Sequence, residues 1–276
     1  RDGLVDPELL VYRFRRAKSE GDTAFDGRDE ASDGEDKALF VHYAVHPVIS
    51  RENLVSGEFL GEAMKLLEQS RGERCTAFYL QGCCGDINVD FTNEKSFLSG
   101  TQADIKAYGE KMRDAVENAL QKPGRCLTPA AITGKEYELP LQFEALHDAD
   151  EMARMAQSEE APYREWAMHQ IAEQRQRSFC IQTVTFGADF TILAMNSEIV
   201  VEYGLYVKRA TKGKMIPLPY TNGIIGYVPT AAQLKQGGYE AEGSIYYFNL
   251  PGKLARDTEQ QVKALLEKAI RDVDDE

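Results

Sequence analysis

Apolar residues along this chain occur in two kinds of segment: some have the spacing typical of helices, and others form the short runs typical of strands. Two segments place apolar residues at helical spacing, so that each predicts a helix with one buried face. A serine, Ser56, is expected to cap the first of these helices. The two apolar faces consist of Leu60, Ala63, Met64 and Leu67, and of Ile105, Tyr108, Met112, Val116 and Leu120.

Short runs rich in β-branched and aromatic residues predict the strands. These runs are residues 9–14, 38–45, 76–80, 179–186, 190–195 and 215–218. Gly187-Ala188-Asp189 separates two of them and predicts an antiparallel hairpin. A helix is expected near 199–210, and a long last helix carries Leu254, Val262, Leu265, Leu266 and Ile270. This alternation predicts a single large α/β domain with a mixed β-sheet flanked by helices, with α+β as the alternative.

Two stretches lack a clear core-facing pattern. Residues 18–37 are rich in Gly, Asp, Glu and Ser and predict a solvated loop, because they lack the spacing of a calcium-binding EF-hand. Residues 147–177 are charged and helix-prone with sparse apolar positions. They predict surface helices that form a helical insertion or lid.

Charge and hydropathy narrow the classes of partner. The chain carries a formal net charge of −13, which disfavours a nucleic acid or an anionic membrane as the main partner. No apolar run approaches the roughly 20 residues of a transmembrane helix, so no transmembrane segment is expected. The acidic composition does not exclude binding of a metal ion or a small-molecule ligand.

The cysteines do not form a recognisable framework. There are five of them, none in a CxxC pair, and an odd number disfavours a set of disulfides. Cys83 and Cys84 are adjacent and are expected to be small, mostly buried thiols beside a loop. One alternative makes either of them the nucleophile of a hydrolase, which would require a nearby histidine to lower the thiol pKa.

Chemistry-bearing residues gather in three loops, each near the end of a predicted strand or the start of a helix. In the first, His46 ends an apolar strand just before a proline, where a structural histidine is the alternative to a ligand. His42 lies four residues earlier, about 13 Å away along a strand, so the two could not easily share one metal ion.

The second and third loops are rich in glycine. Residues 81–88 contain Gly85, Asp86 and Asn88, and glycine allows close approach of the backbone to a ligand. Residues 220–240 alternate glycines, prolines and tyrosines, a composition that suits a rigid pocket wall. A tight turn and a loop with structural tyrosines are the respective alternatives.

Taken in order, these loops resemble the catalytic domain of the neutral/alkaline non-lysosomal ceramidase family. The matching stretches are HYAVHP at 42–47, NLVSGEFLG at 53–61, LQGCCGDIN at 80–88 and YTNGIIGYVPTAAQLKQGGYEAEGS at 220–244. The resemblance implies a zinc ion as cofactor, with His46, Glu198 and Tyr227 among its ligands. It identifies residues 1–276 as a ceramidase-like catalytic domain whose N-terminal part, with the family's first zinc histidine, is absent.

The resemblance also implies a reaction, the hydrolysis of an amide (N-acyl) or related bond by a metal-activated water. The substrate is then a small-molecule or lipid-like amide. Tyr239 would lie beside the scissile amide and stabilise the developing oxyanion, and Asn88 stands where the family has its serine. Residues implied in substrate binding are Gly85, Asp86 and Asn222.

Several positions depart from the family pattern. Asn88 and Val89 replace the serine and proline of its Gly-Asp-x-Ser-Pro motif, and asparagine cannot act as a nucleophile. Asn196-Ser197 replaces the Pro-Gly that precedes the zinc glutamate, and the charged last helix is expected to end the chain without the family's C-terminal immunoglobulin-like domain. The alternative function is a non-catalytic binding or scaffold domain with a degraded metal site.

Overall fold

The computed structural model describes residues 3–15, 36–72, 74–93, 96–127, 131–172 and 176–275. They form two compact units. The N-terminal unit comprises Val5–Gly82 and Ile87–Thr128, and the C-terminal unit includes Cys83–Asp86 and Pro129–Glu276. The predicted loop 18–37 lies outside the described residues except for its last two, which begin a strand.

The N-terminal unit is a three-stranded sheet with two helices. Its elements are β1 (Leu10–Arg15), β2 (Asp36–Tyr43), α1 (Glu58–Arg71), β3 (Thr76–Gln81) and α2 (Gln102–Leu120). The central strand β2 pairs antiparallel with β1 and parallel with β3, so α1 forms the crossover of a βαβ unit. The predicted apolar faces are buried as expected, with Leu60, Leu67 and Val116 at most 4% exposed.

The start of α1 differs from the prediction. Gly57, not Ser56, occupies the position before the first helical residue. The Ser56 hydroxyl nevertheless accepts a hydrogen bond from the Glu58 amide at 2.9 Å. The serine therefore satisfies one of the amides that a helix start leaves without a partner, from one position further out.

The C-terminal unit contains the other elements. They are β4 (Ile132–Pro140), β5 (Phe143–Ala145), α3 (Ala149–Met155), α4 (Ala161–Ala172), β6 (Ser178–Phe186), β7 (Thr191–Met195), β8 (Glu198–Ile199), α5 (Val201–Ala210), β9 (Met215–Leu218), β10 (Tyr227–Val228), α6 (Ala231–Gln236), a π-helical turn (Tyr239–Gly243), α7 (Ile245–Phe248), β11 (Gly252–Leu254) and α8 (Thr258–Asp274).

Its main sheet confirms the α/β class with a mixed sheet. The strand order is β4-β6-β7-β9, with β7 and β9 parallel and the other pairs antiparallel. The predicted hairpin is the β6–β7 pair. Helices α5 and α8 pack on this sheet, and Phe179, Leu193, Tyr203 and Leu266 form part of a core that is fully buried.

Two predictions about elements in this unit were wrong or incomplete. Leu254 does not lie on the last helix, because it ends β11 and α8 begins at Thr258. Strand β4 was missed, since most of its residues are exposed and only Tyr137 among them is buried, which gives no apolar alternation. Strand β4 is held in the sheet by backbone pairing with β6 along its full length.

The segment 147–177 is helical as predicted, but it is not a pair of purely surface helices. Trp166 on α4 is only 2% exposed, and its indole Nε1 donates a hydrogen bond to the Leu250 carbonyl at 2.7 Å. His147 lies 3.0 Å from the Tyr246 hydroxyl and 3.0 Å from the Glu151 carboxylate. These contacts join α4 to Leu250, two residues after the end of α7, and join His147, just before α3, to α7 itself. A role as a lid stays a prediction.

The longest helices are amphipathic. Helix α2 buries one face, and α8 buries another that includes Val262, Leu266 and Ile270, while charged residues occupy the opposite sides. Among the residues that the structure describes, no helix combines the length and the apolar character needed to cross a bilayer.

Candidate active site

A short parallel strand pair positions the first two site residues. Strand β8 pairs with β10 so that Glu198 lies directly beside Tyr227 in register, and the Glu198 amide donates to the Gly226 carbonyl at 2.9 Å. Residues paired in register project from the same face of a sheet. Accordingly, the Tyr227 hydroxyl donates a hydrogen bond to the Glu198 carboxylate.

The protonation of Tyr227 follows from these surroundings. Burial raises the pKa of Tyr227 well above its usual range, and the hydrogen bond to Glu198 and the charge of Glu198 raise it further. Without a metal ion the phenol therefore keeps its proton at neutral pH. To act as a phenolate ligand, Tyr227 would have to exchange that proton for the ion.

The turn before Glu198 is held by an asparagine rather than by the Pro-Gly of the family pattern. Asn196 Oδ1 accepts from the Cys180 amide at 2.8 Å, and its Nδ2 donates to the Ser178 carbonyl at 3.1 Å. The Asn196 carbonyl also accepts from the Ile225 amide at 3.0 Å. These bonds tie the turn to β6 and to the segment before Tyr227, so the replacement leaves the turn well supported.

Tyr239 lies beside Tyr227. It is the first residue of the π-helical turn, and its ring meets the Tyr227 ring edge-to-face with 5.7 Å between centroids. The side chain is 52% exposed. Burial, together with the negative charge of Glu198, raises the pKa of Tyr239, so it is a phenol that can donate a hydrogen bond.

Tyr220 belongs to the same group, although the sequence did not single it out. Its hydroxyl donates to Glu198 Oε2 at 3.2 Å and lies 3.4 Å from the Cys84 thiol. Burial raises the pKa of Tyr220 far above its usual range, with further contributions from Cys84 and Glu198. The only sequence signal was its place at the start of the third loop, just before Asn222-Gly223.

Asp86, a predicted substrate-binding residue, supports the scaffold of the C-terminal unit. One carboxylate oxygen accepts from the Val201 amide at 2.8 Å, and the other accepts from Gln233 Nε2 at 3.0 Å. Helix α5 has a valine at its cap position, so Asp86 supplies the carboxylate that favours a helix N-terminus. Contact with a substrate stays a prediction for this residue.

Gly85 approaches the backbone that leads from Glu198 into α5. Its amide donates to the Ile199 carbonyl at 2.8 Å, and a Cβ at this position would meet the Ile199 carbonyl carbon and oxygen at 3.0 Å. The close contact is with backbone, which cannot rotate away as a flexible side chain can.

We therefore expect Gly85→Ala to destabilise the protein by about 1–3 kcal/mol through overpacking. Urea denaturation followed by circular dichroism measures this change. The matched control is Gly61→Ala on α1, where a Cβ meets nothing within 4 Å and alanine is the better helix former. Equal stability of Gly85→Ala and wild type would contradict the expectation.

His46 and Asn88 lie in the N-terminal unit, where they form an isolated parallel bridge. The Ile87 carbonyl is 2.9 Å from the His46 amide and 3.1 Å from its ring Nδ1. Because a carbonyl only accepts, Nδ1 carries the proton, and a neutral ring then has its lone pair on Nε2. A backbone carbonyl behind one ring nitrogen is the usual support of a metal-binding histidine.

The remaining candidate residues lie in the core or bind other protein groups. His42 is completely buried in β2. Asn222 is exposed, adopts a left-handed backbone with φ of 60°, and its amide donates to Gln182 Oε1. Cys83 and Cys84 are buried, as predicted, and neither forms a disulfide.

The donors suit zinc by type. Carboxylate, phenolate and imidazole groups are all acceptable ligands for this ion, and the support behind His46 fits such a role. Within the described ranges, no group of three or more His, Cys, Asp and Glu side chains could hold a metal ion. The candidate set relies on a tyrosine, and Glu198 and Tyr227 are the two members that one unit brings together.

Comparison with known proteins bears on the fold. No family model and no curated protein sequence matches this chain. The chain is similar to a neutral ceramidase from Pseudomonas aeruginosa, with 16% identity and a TM-score of 0.62 over 97% of this chain and 47% of that one. It is also similar to a ceramidase complexed with C2, with 16% identity and a TM-score of 0.63 over 95% and 47% of the two chains.

The chain spans about half the length of the two solved structures that it matches. Nearly all of it takes part in the similarity, and the low identity accords with the departures from the family pattern around Asn88 and Asn196. Nearly all of this protein therefore shares the fold of about half of a neutral ceramidase, in a divergent form.

Proposed function

We propose that this protein is a zinc-dependent hydrolase that cleaves an amide (N-acyl) or related bond, as a divergent relative of neutral ceramidase. The observation that carries the proposal is the pairing of Glu198 and Tyr227 by the β8–β10 register. It places a carboxylate and a phenol side by side in a chain whose fold is similar to that of two ceramidase structures.

Glu198, Tyr227 and His46 are the proposed ligands. When bound, zinc would supply a water molecule acidified toward neutral pH and would polarise the oxygen of the scissile bond. The high pKa that burial and Glu198 give to Tyr227 means that metal binding competes with a proton at this residue. Zinc affinity should therefore fall as the pH is lowered.

Two further residues have proposed roles in the reaction. Tyr239 keeps its proton, so its hydroxyl can donate a hydrogen bond to the oxygen on which negative charge develops. Asn88 can donate and accept hydrogen bonds but cannot form a covalent intermediate. The proposed attacking group is accordingly water, and Asn88 is a positioning residue.

The proposed substrate is a small-molecule or lipid-like amide. Three large side chains of the C-terminal unit are at least half exposed in the segment that holds Tyr227, namely Ile224 at 50%, Tyr239 at 52% and Tyr247 at 68%. Exposed aromatic and aliphatic groups favour binding of a partly apolar molecule. The net charge of −13 favours neither a nucleic acid nor an anionic lipid surface.

Metal content tests the proposal directly. We expect the purified protein, in its longest natural form, to carry about one zinc ion per chain by mass spectrometry, as for a mononuclear catalytic site. The His46→Ala variant should lose most of this zinc because it removes one ligand. His169→Ala is the matched control, since His169 lies exposed on α4 and should leave the zinc in place.

Loaded protein should then release the amine from N-acyl substrates, and screening chain lengths would define the acyl group. A wild-type protein that takes up no zinc would contradict the proposal and favour the alternative, a non-catalytic binding or scaffold domain. Equal zinc loss in His46→Ala and His169→Ala would exclude His46 as a specific ligand.

A further inference from the structure

Tyr220 occupies a strained backbone position next to the proposed metal ligand Glu198. It follows β9 and has a φ of 59°, a left-handed conformation that costs a residue other than glycine about 1–2 kcal/mol. Two hydrogen bonds hold this turn, from the Tyr220 amide to the Ser197 carbonyl at 3.1 Å and from the Thr221 amide to the Met195 carbonyl at 3.0 Å. Strain of this kind persists where the surrounding structure fixes it, often at functional sites.

The side chain of Tyr220 forms the middle of a hydrogen-bonded chain. A carboxylate oxygen can only accept, so the Tyr220 hydroxyl proton is directed at Glu198 Oε2, 3.2 Å away. The tyrosine oxygen is then the acceptor for the Cys84 thiol at 3.4 Å. The chain runs from Cys84 through Tyr220 to Glu198, with each donor oriented toward the carboxylate.

Glu198 therefore receives hydrogen bonds from two tyrosines, and only one of the two is itself a proposed metal ligand. Tyr227 is that proposed ligand, and its register pairing with Glu198 places the two residues side by side. Tyr220 is not a proposed ligand, and its hydroxyl lies 3.2 Å from Glu198 Oε2 and 3.4 Å from the Cys84 thiol. Tyr220 is therefore the donor that can fix the orientation of the carboxylate without itself being a ligand.

We propose that Tyr220 is a positioning residue that orients Glu198 for metal binding, and that the buried Cys84 thiol anchors Tyr220 in turn. The inference rests on the proposed function, because it concerns the metal site of that function. It assigns a purpose to Cys84, which is completely buried. It also explains why the chain maintains a left-handed tyrosine where a glycine would be less strained.

The test compares zinc affinity with stability in Tyr220→Phe. Competition with a chromogenic chelator should show zinc binding weakened by about 10- to 100-fold, the usual effect of removing the support of a metal ligand. The visible absorption of the cobalt-substituted protein should change as well, because the ligand geometry is altered. Tyr206→Phe is the matched control, since it removes a hydroxyl that donates to Glu267 at 2.8 Å elsewhere in the same unit.

Variants of Cys84 test the hydrogen bond between Cys84 and Tyr220. They keep the proposal testable even if Tyr220→Phe folds poorly. Cys84→Ala should weaken zinc binding less than Tyr220→Phe does, and Cys84→Ser, which keeps a donor, should restore most of the affinity. Equal zinc affinity in Cys84→Ala and Cys84→Ser would overturn the anchoring role. Unaltered affinity in a folded Tyr220→Phe protein would overturn the positioning role but leave the proposed function intact, whereas a wild-type chain that binds no zinc would remove both.

Discussion

The Glu198→Gln protein is expected to bind zinc more than about 100-fold more weakly than wild type, which exceeds the loss typical of a supporting residue. The amide side chain keeps the shape of glutamate but removes the negative charge that zinc requires of this ligand. The glutamine amide oxygen can still accept a hydrogen bond from one of the two tyrosines, Tyr220 or Tyr227, and its NH2 can donate to the hydroxyl oxygen of the other, so the fold should survive. Zinc content by mass spectrometry and amide hydrolysis should fall together in this variant.

The control for Glu198→Gln is Glu165→Gln, because Glu165 lies exposed on α4. This change removes the same charge from the protein without touching the site. Circular dichroism would establish that both variants are folded. Retention of about one zinc ion per chain in Glu198→Gln would contradict the assignment of Glu198 as a ligand.

A second large effect is expected at Tyr239. Removing the hydroxyl in Tyr239→Phe should lower kcat by about 10²- to 10³-fold, as for loss of one donor to an oxyanion. The KM should change little, because the ring and its edge-to-face contact with Tyr227 remain. An interaction made mainly in the transition state lowers kcat and kcat/KM together.

Steady-state kinetics with an N-acyl substrate measures this effect, and zinc content should stay at the wild-type level. Tyr247→Phe is the matched control, since this tyrosine has its ring centroid 6.4 Å from that of Tyr239 and is 68% exposed. Comparable losses of kcat in the two variants would show that Tyr239 has no special role. A raised KM with unaltered kcat would make it a binding residue instead.

The elements that the sequence predicted are those whose periodicity reflects one buried face. Helices α1 and α2 and the β6–β7 hairpin have this property: both helices contain the predicted apolar faces, and both strands lie close to their predicted bounds. Strand β4 lacks it, because pairing with β6 rather than burial holds the strand in place. Helix α6 was also missed, although Thr230 and Gln233 form a capping box that is readable from their spacing.

Only those site residues that match the motifs of the ceramidase family could be predicted from the sequence. Glu198, Tyr227 and Tyr239 were named from the motif, and the structure brings these three together in one unit. Tyr220 could not be named, because its contacts with Glu198 and Cys84 depend on a left-handed turn and on a residue 136 positions away. Neither the turn nor the distant partner leaves a periodic or spacing signal.

The structural contacts of Asp86 could not be predicted for a related reason. A polar residue in a glycine-rich loop suggests a ligand contact, yet both of its carboxylate oxygens bind groups of its own unit, the Val201 amide and Gln233. The sequence does not distinguish a carboxylate that faces a ligand from one that holds a helix start. That distinction depends on where the α5 N-terminus lies once the chain has folded.

The assignment of Cys83–Asp86 to the C-terminal unit has a consequence for how this gene can be divided. A fragment that begins at residue 129 would lack the carboxylate at the start of α5 and the thiol behind Tyr220. Recombination at the apparent boundary would separate a tetrapeptide from the unit that it completes. Chimaeras between relatives should therefore take Cys83–Asp86 and the C-terminal segment from the same parent. A chimaera that takes them from different parents is expected to be less stable.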